Sequence, residues 1–294
     1  MKFSGDQAAG LRSLLAKDSL RVALFVSGVR RAGKTTAIAN LALAAAQRGK
    51  NVMLIDESRN SANTVAQCCG VSGRYDLLDA VTGARTMEEV LVHGPDGVKI
   101  LPVGRAVRAD EDAVSYRPWE LANTFERLAD EFDWLLIDAT SGFDTRLLPL
   151  ALSANEIVVV MPEDGNGLTG SYAMMKLLRH EFEMSCFRVL ATRSRNHDAV
   201  HTSFHRLRAV AARHLGARVD LLGNVPFDGT VKRASALARP LVSSYPNSSA
   251  TRAIRGCAES LLDAASANAR SDPAGILLKR LFDGSQVDFA AAMA

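Results

Sequence analysis

A short β-branched run, Val22–Val26, leads into Ser27-Gly28-Val29-Arg30-Arg31-Ala32-Gly33-Lys34-Thr35-Thr36, and a helical pattern, Thr35–Ala46, follows. The loop fits G-x-x-x-x-G-K-[ST] with a strand before it and a helix after it, the context that gives this spacing its meaning. No other segment restricts the fold as much. Backbone N–H groups of such a loop point inward at phosphate oxygens, and the helix N-terminus adds about half a positive charge. On this reading Gly28, Arg30, Arg31, Ala32, Gly33, Lys34, Thr35 and Thr36 form a nucleotide site. Lys34 reaches the β- and γ-phosphates, and the Thr35 hydroxyl ligates Mg2+.

The rest of the chain repeats the alternation. Apolar runs at Val52–Ile55, Val98–Pro102, Trp134–Ile137, Ile157–Met161, Phe187–Ala191 and Val219–Val225 are short and continuous, as in strands buried on both faces. Helical patterns lie between or after them at Trp119–Phe132, Leu168–Glu181, Ala199–His214 and Ala250–Ser266. The expected fold is α/β, a parallel twisted sheet with helices on both faces. With 294 residues, one core domain over 20–268, flanked by segments 1–19 and 269–294, explains the pattern better than two domains. Asp56 and Asp138 end the second and fourth runs, where an open α/β sheet binds ligand. Either acid alone could be a helix cap; beside a phosphate loop, both are read as metal ligands.

Composition narrows the class further. A net charge of +3 with 23% charged residues does not imply nucleic-acid coating. Cys68, Cys69, Cys186 and Cys257 form no C-x-x-C pair and fit no zinc set, which favours a reducing, cytosolic compartment. The N-terminus carries no apolar signal core, and no apolar run approaches the roughly 20 residues of a spanning helix. The expectation is a protein that is soluble, or touches a membrane only peripherally.

The motifs together resemble the MinD/ParA class of deviant P-loop ATPases, and within it the FlhG family, MinD-like regulators of flagellar number and placement. The resemblance runs from about Asp6 to Phe282. It rests on Ser27–Thr36, on Asp138-Ala139-Thr140-Ser141-Gly142 as the switch II segment D-x-x-x-G, on Met161-Pro162-Glu163 with Tyr172-Ala173, and on Val225-Pro226-Phe227-Asp228. It implies ATP and Mg2+ as cofactors, Lys34 and Asp138 as catalytic, Thr35, Asp56 and Asp138 at the metal, and Thr192 and Pro226 beside the nucleotide. It also implies an ATP-dependent homodimer.

Three departures weaken the implied hydrolysis. The class carries a signature lysine that reaches the partner's phosphates across the dimer; here Val29 stands there, and the two glycines after it are Arg30 and Arg31. These arginines either take the lysine's place, since guanidinium suits phosphate, or remain solvated. Losing the glycines also removes tolerance for positive φ. The family reads D-x-D after the second strand, but here it is Asp56-Glu57-Ser58, so the acid that helps position water is absent. Alternation along an extended segment turns Glu57 away from the face shared by Asp56 and Ser58. Thr192 replaces an asparagine that contacts the base, leaving fewer hydrogen-bonding groups. The resulting expectation is a protein that binds ATP and hydrolyses it slowly or not at all.

Two tails complete the resemblance. Asp6-Gln7-Ala8-Ala9-Gly10-Leu11-Arg12 matches the family's D-Q-A-x-x-L-R motif, which engages FlhF, a signal-recognition-type GTPase; Asp6, Gln7, Ala8, Leu11 and Arg12 are the expected contacts. Ile276-Leu277-Leu278-Lys279-Arg280-Leu281-Phe282 resembles the MinD membrane-targeting helix, with Leu277/Leu281 and Leu278/Phe282 as i,i+4 pairs and Lys279 and Arg280 placed for anionic lipid. Packing of either helix on the chain's own core is the alternative. The implied location is cytoplasmic, peripheral to the inner face of the plasma membrane. Flagellar switch-complex proteins or a transcriptional regulator are further family partners. A scaffold without turnover is one competing function; a ParA-type DNA partition ATPase is another, and it leaves both tails unexplained.

Overall fold

The computed structural model describes residues 20–58, 64–108, 131–143 and 145–263. Among these residues eight strands form one sheet: β1 (Arg21–Val26), β2 (Val52–Asp56), β3 (Val92–His93), β4 (Lys99–Pro102), β5 (Trp134–Asp138), β6 (Glu156–Pro162), β7 (Cys186–Ser194) and β8 (Arg218–Pro226). Their spatial order is β3-β4-β2-β5-β1-β6-β7-β8. Every pair is parallel except β3 with β4. All seven apolar runs are strands, and they form the expected parallel sheet, to which β3 adds an antiparallel edge. β3 escapes the sequence pattern because two residues carry no periodicity.

The runs lack an apolar/polar alternation because both faces are covered. Val22, Leu24, Met53, Ile55, Leu135, Ile137 and Val159 belong to one core layer. Ala23, Phe25, Leu54, Trp134, Leu136, Val158 and Val160 belong to the other. Among the described residues four long helices pack on the sheet together with shorter helical segments: α1 (Lys34–Ala46), α2 (Gly167–Phe182), α3 (His197–Leu215) and α4 (Ser249–Asp263). α1 and α4 fill the second layer; α2 and α3 fill the first. α1 reads KTTAIANLALAAA and is apolar nearly all round, since it lies between the sheet and α4. α3 buries only Val200, Phe204, Leu207, Ala211 and Leu215, a single stripe at helical spacing. Asn196 caps its start through Asp198 N–H, and Gly216 closes it at φ +58°.

The expected helix Trp119–Phe132 lies outside the described residues except at its end. There Glu131 is in a turn, and Phe132 is non-helical and buried as the chain enters β5. The partner motif Asp6–Arg12, the membrane segment Ile276–Phe282 and the end of the last helical pattern also lie outside the described residues.

Candidate functional site

Parallel strands bring their C-terminal ends to one edge, and the site forms there. Asp138 ends β5 between β1 and β2, in register with Phe25 on one side and Asp56 on the other. The loop from Ser27 to Gly33 leaves β1 over this edge and turns into α1. Gly33 makes the turn at φ +82°, a left-handed conformation that glycine takes without steric cost.

Three anchors fix the loop. The buried Ser27 hydroxyl donates to Val160 O of β6 at 2.9 Å, and Ser27 O accepts from Gly142 N–H at 2.7 Å. The Thr192 hydroxyl, also buried, donates to Ala32 O at 2.7 Å. Gly28 lies against Gly170 of α2 so closely that a Cβ on Gly28 would stand 2.1 Å from Gly170 O. Thr192 therefore supports the phosphate loop, with its one donor committed to a backbone carbonyl. Pro226 ends β8 nearby, next to the exposed Phe227, over which Arg195 stacks at 5.0 Å.

Lys34, Thr35 and Asp138 converge as their motifs require. Lys34 Nζ pairs with Asp138 Oδ1, both side chains being buried, and Thr35 Oγ1 donates to Asp138 Oδ2 at 2.8 Å. Asp56 accepts from Ser58 N–H at 2.9 Å and from Val65 N–H at 2.8 Å. Burial first, and the neighbouring Asp138 charge second, push its carboxyl up to about 6. The Thr35 hydroxyl and the two carboxylates are an all-oxygen, anionic donor set of the kind that suits Mg2+. Lys34 faces two acids, so the charges at this edge do not by themselves balance a polyphosphate. Burial pushes the Cys68 thiol up to about 11 and Cys69 up to about 12, so both are protonated in the free protein at neutral pH.

The departures have clear structural outcomes. Val29 is half-buried and turned onto α2, where a Cβ on Gly170 would meet its Cγ2 at 2.5 Å. Arg30 and Arg31 are exposed, and Arg31 O accepts from Arg193 Nη1 at 3.3 Å. Arg31 adopts a left-handed conformation, at φ +60°. A side chain there costs about 1–2 kcal/mol. Arg31→Gly is therefore expected to stabilise the protein by about 0.5–1 kcal/mol after the entropy glycine adds to the unfolded chain. Arg31→Ala, which keeps the strain, should give no gain; equal melting temperatures for the two variants would refute this.

Glu57 has surroundings that its motif does not predict. It points away from Asp56, as alternation requires, and its carboxylate is wholly buried against Arg108, Thr140, Thr145 and Arg146. Those partners lie far away in sequence, and no spacing announces them. Gly170 is equally silent, because a glycine inside a helical pattern gives no sign of what crosses it.

A P-loop at the edge of a parallel sheet, with a lysine and a hydroxyl converging on the aspartate of the adjacent strand, defines a P-loop nucleotide-binding protein. Comparison with known proteins narrows this class. The model of the cellulose biosynthesis protein BcsQ family matches residues 22–179. Antiactivator FleN of Pseudomonas aeruginosa, an FlhG homologue, is 30% identical over 82% of this chain and 85% of its own. The Bacillus subtilis septum site-determining protein MinD is 29% identical over 81% of this chain and 88% of its own. The cell division ATPase MinD of Pyrococcus furiosus has the same fold, with a TM-score of 0.65 at 24% identity over 83% of this chain and 99% of that one. The chain belongs to the MinD/ParA family of P-loop ATPases.

Proposed function

We propose that the protein is an ATP-binding, MinD-like switch that regulates flagellar number and placement together with the FlhF GTPase at the cytoplasmic membrane. The observation that carries the nucleotide part is the convergence of Lys34 and Thr35 on Asp138, one strand from Asp56. The similarity to FleN supports the flagellar part. In this reading residues 20–268 bind the nucleotide, Asp6–Arg12 in segment 1–19 engages FlhF, and Ile276–Phe282 in segment 269–294 targets anionic lipid.

Thr35, Asp56 and Asp138 would hold Mg2+, which when bound offsets the charge of the phosphates. Lys34 binds the β- and γ-phosphates, and the loop N–H groups orient them. Hydrolysis is slow because Val29 is packed on its own α2 and cannot place a charge on a partner's phosphates, and because Ser58, whose N–H serves Asp56, offers no carboxylate to orient water. Among the described residues no helix is long and apolar enough to cross a membrane, in keeping with peripheral attachment.

The test is ATP binding and turnover by the purified protein, with and without anionic liposomes and FlhF. Saturable binding that EDTA weakens at least about tenfold, with turnover well below that of the Bacillus MinD, is the expected result. Turnover equal to that of MinD would overturn the slow-hydrolysis reading; no saturable binding would overturn the switch itself.

A further inference from the structure

Glu57 sits in the switch I motif at the position that D-x-D leaves open, yet it is wholly buried and fully bonded. Oε1 accepts from Arg108 Nη2 at 2.9 Å and from Arg146 N–H at 2.7 Å. Oε2 accepts from Thr140 N–H at 2.6 Å and from the Thr145 hydroxyl. Its own N–H donates to Asp138 O at 3.2 Å. The far side of the knot is equally tight. Arg108 Nη1 donates to Gly104 O at 3.2 Å, and a Cβ on Gly104 would stand 2.5 Å from Ser58 O. One carboxylate thus ties together residues 56–58, 104–108, 138–140 and 145–146.

The switch II segment begins at Asp138, so the knot bears on the nucleotide site. Ala139 N–H donates to Phe25 O, Thr140 N–H to Glu57 and Gly142 N–H to Ser27 O. In this arrangement these three donors of the segment are spent inside the protein, and the bond to Glu57 is charge-assisted, the stronger kind. A backbone N–H has one proton. While Thr140 serves Glu57, it cannot serve a phosphate oxygen.

We propose that Glu57 is the positioning residue of the phosphate-sensing segment, holding Thr140, Thr145 and Arg146 in the present arrangement so that a γ-phosphate must draw the segment away from it. The residue acts through switch II and touches neither nucleotide nor metal. This proposal rests on the nucleotide-binding reading above. Its consequence is selectivity: a phosphate oxygen that takes the Thr140 N–H must first break its bond to Glu57, so the hold would oppose a triphosphate whose γ-phosphate uses that donor and leave unaffected a diphosphate that does not. A ligand shifts such an equilibrium only by its differential affinity for the two arrangements.

Glu57→Gln keeps the shape and removes one acceptor; Thr145→Val removes a single donor and disturbs the fold least. Affinities for Mg-ADP and for a non-hydrolysable Mg-ATP analogue are measured by calorimetry on the full chain. Amide exchange over residues 139–147 is followed without nucleotide. The expected result for Glu57→Gln is ADP affinity within about threefold of wild type, a preference for the ATP analogue raised at least about fivefold, and faster exchange at Thr140 and Arg146. Thr145→Val should move each in the same direction by less. A Glu57→Gln protein that folds with an unchanged or lowered triphosphate preference overturns the proposal; if it does not fold, the same result in Thr145→Val does so. If the wild type binds neither nucleotide, the nucleotide reading fails and this selectivity fails with it. Exchange at Thr140 and Arg146 then reports whether the knot holds the segment at all. A merely structural glutamate would alter melting and leave the ratio of the two affinities unchanged.

Discussion

Lys34→Ala is expected to weaken Mg-ATP binding by at least about a hundredfold, roughly 3 kcal/mol, the value of one or two lost charge-assisted bonds to phosphate. The same change should lower stability without any nucleotide. In the free protein Lys34 is the counter-charge of Asp138, and both side chains are buried. Asp56 lies in register on the next strand and already feels the Asp138 charge. Removing the cation leaves Asp138 with the Thr35 hydroxyl and an acidic neighbour. Breaking a buried pair in this way costs about 3–5 kcal/mol, a fall of about 6–20 °C in melting temperature for a domain of this size. The two effects separate in a double variant. Lys34→Ala with Asp138→Asn removes the orphaned charge and should recover much of the melting temperature while nucleotide affinity stays lost. Calorimetric affinity for the single variant within about threefold of wild type would show that Lys34 is bound to Asp138 for stability alone.

This pairing also explains why the site was open to motif reasoning and its support was not. Lys34, Thr35, Asp56 and Asp138 stand at places set by chain chemistry: a loop of fixed spacing, and acids at the ends of continuous apolar runs. Burial on both faces makes those runs visible, since Val22 through Val26 show no alternation to confuse with a half-exposed strand. The identity of Val29 announces a missing charge, and its contact with Gly170 shows where the side chain goes instead. Arg31 was less predictable. Losing a glycine suggests a changed loop, yet the anchors at Ser27, Gly28 and Ala32 hold Arg31 at φ +60° and the strain stays local. For Glu57, alternation gives the direction of the side chain and not its burial, which depends on Arg108 and Arg146, about fifty and ninety positions away.

Gly28→Ala should be the most damaging single-methyl change in the loop. The added Cβ would stand 2.1 Å from Gly170 O and 2.7 Å from Gly170 C, and both are backbone atoms of α2. No rotamer relieves such a contact; either the loop lifts from α2 or the helix moves. The loop cannot lift cheaply, because Ser27 is bonded to Val160 O and Gly142 N–H. Overpacking of this kind costs about 3 kcal/mol, the upper end of the usual range, and lowers the melting temperature by about 6–12 °C. The reverse substitution supplies the control. A Cβ on Gly170 meets first the Val29 Cγ2, at 2.5 Å, with Gly28 backbone no nearer than 3.3 Å. That side chain can give way, so Gly170→Ala should cost only about 1 kcal/mol, and the double variant with Val29→Ala should cost less again. The asymmetry is the test. If Gly28→Ala melts within about 1 °C of wild type, or no lower than Gly170→Ala, then the loop does not lie on α2 as described. If the order holds, the crossing of Gly28 over Gly170 fixes the height of the phosphate loop above the sheet, and with it the reach of Lys34 to Asp138.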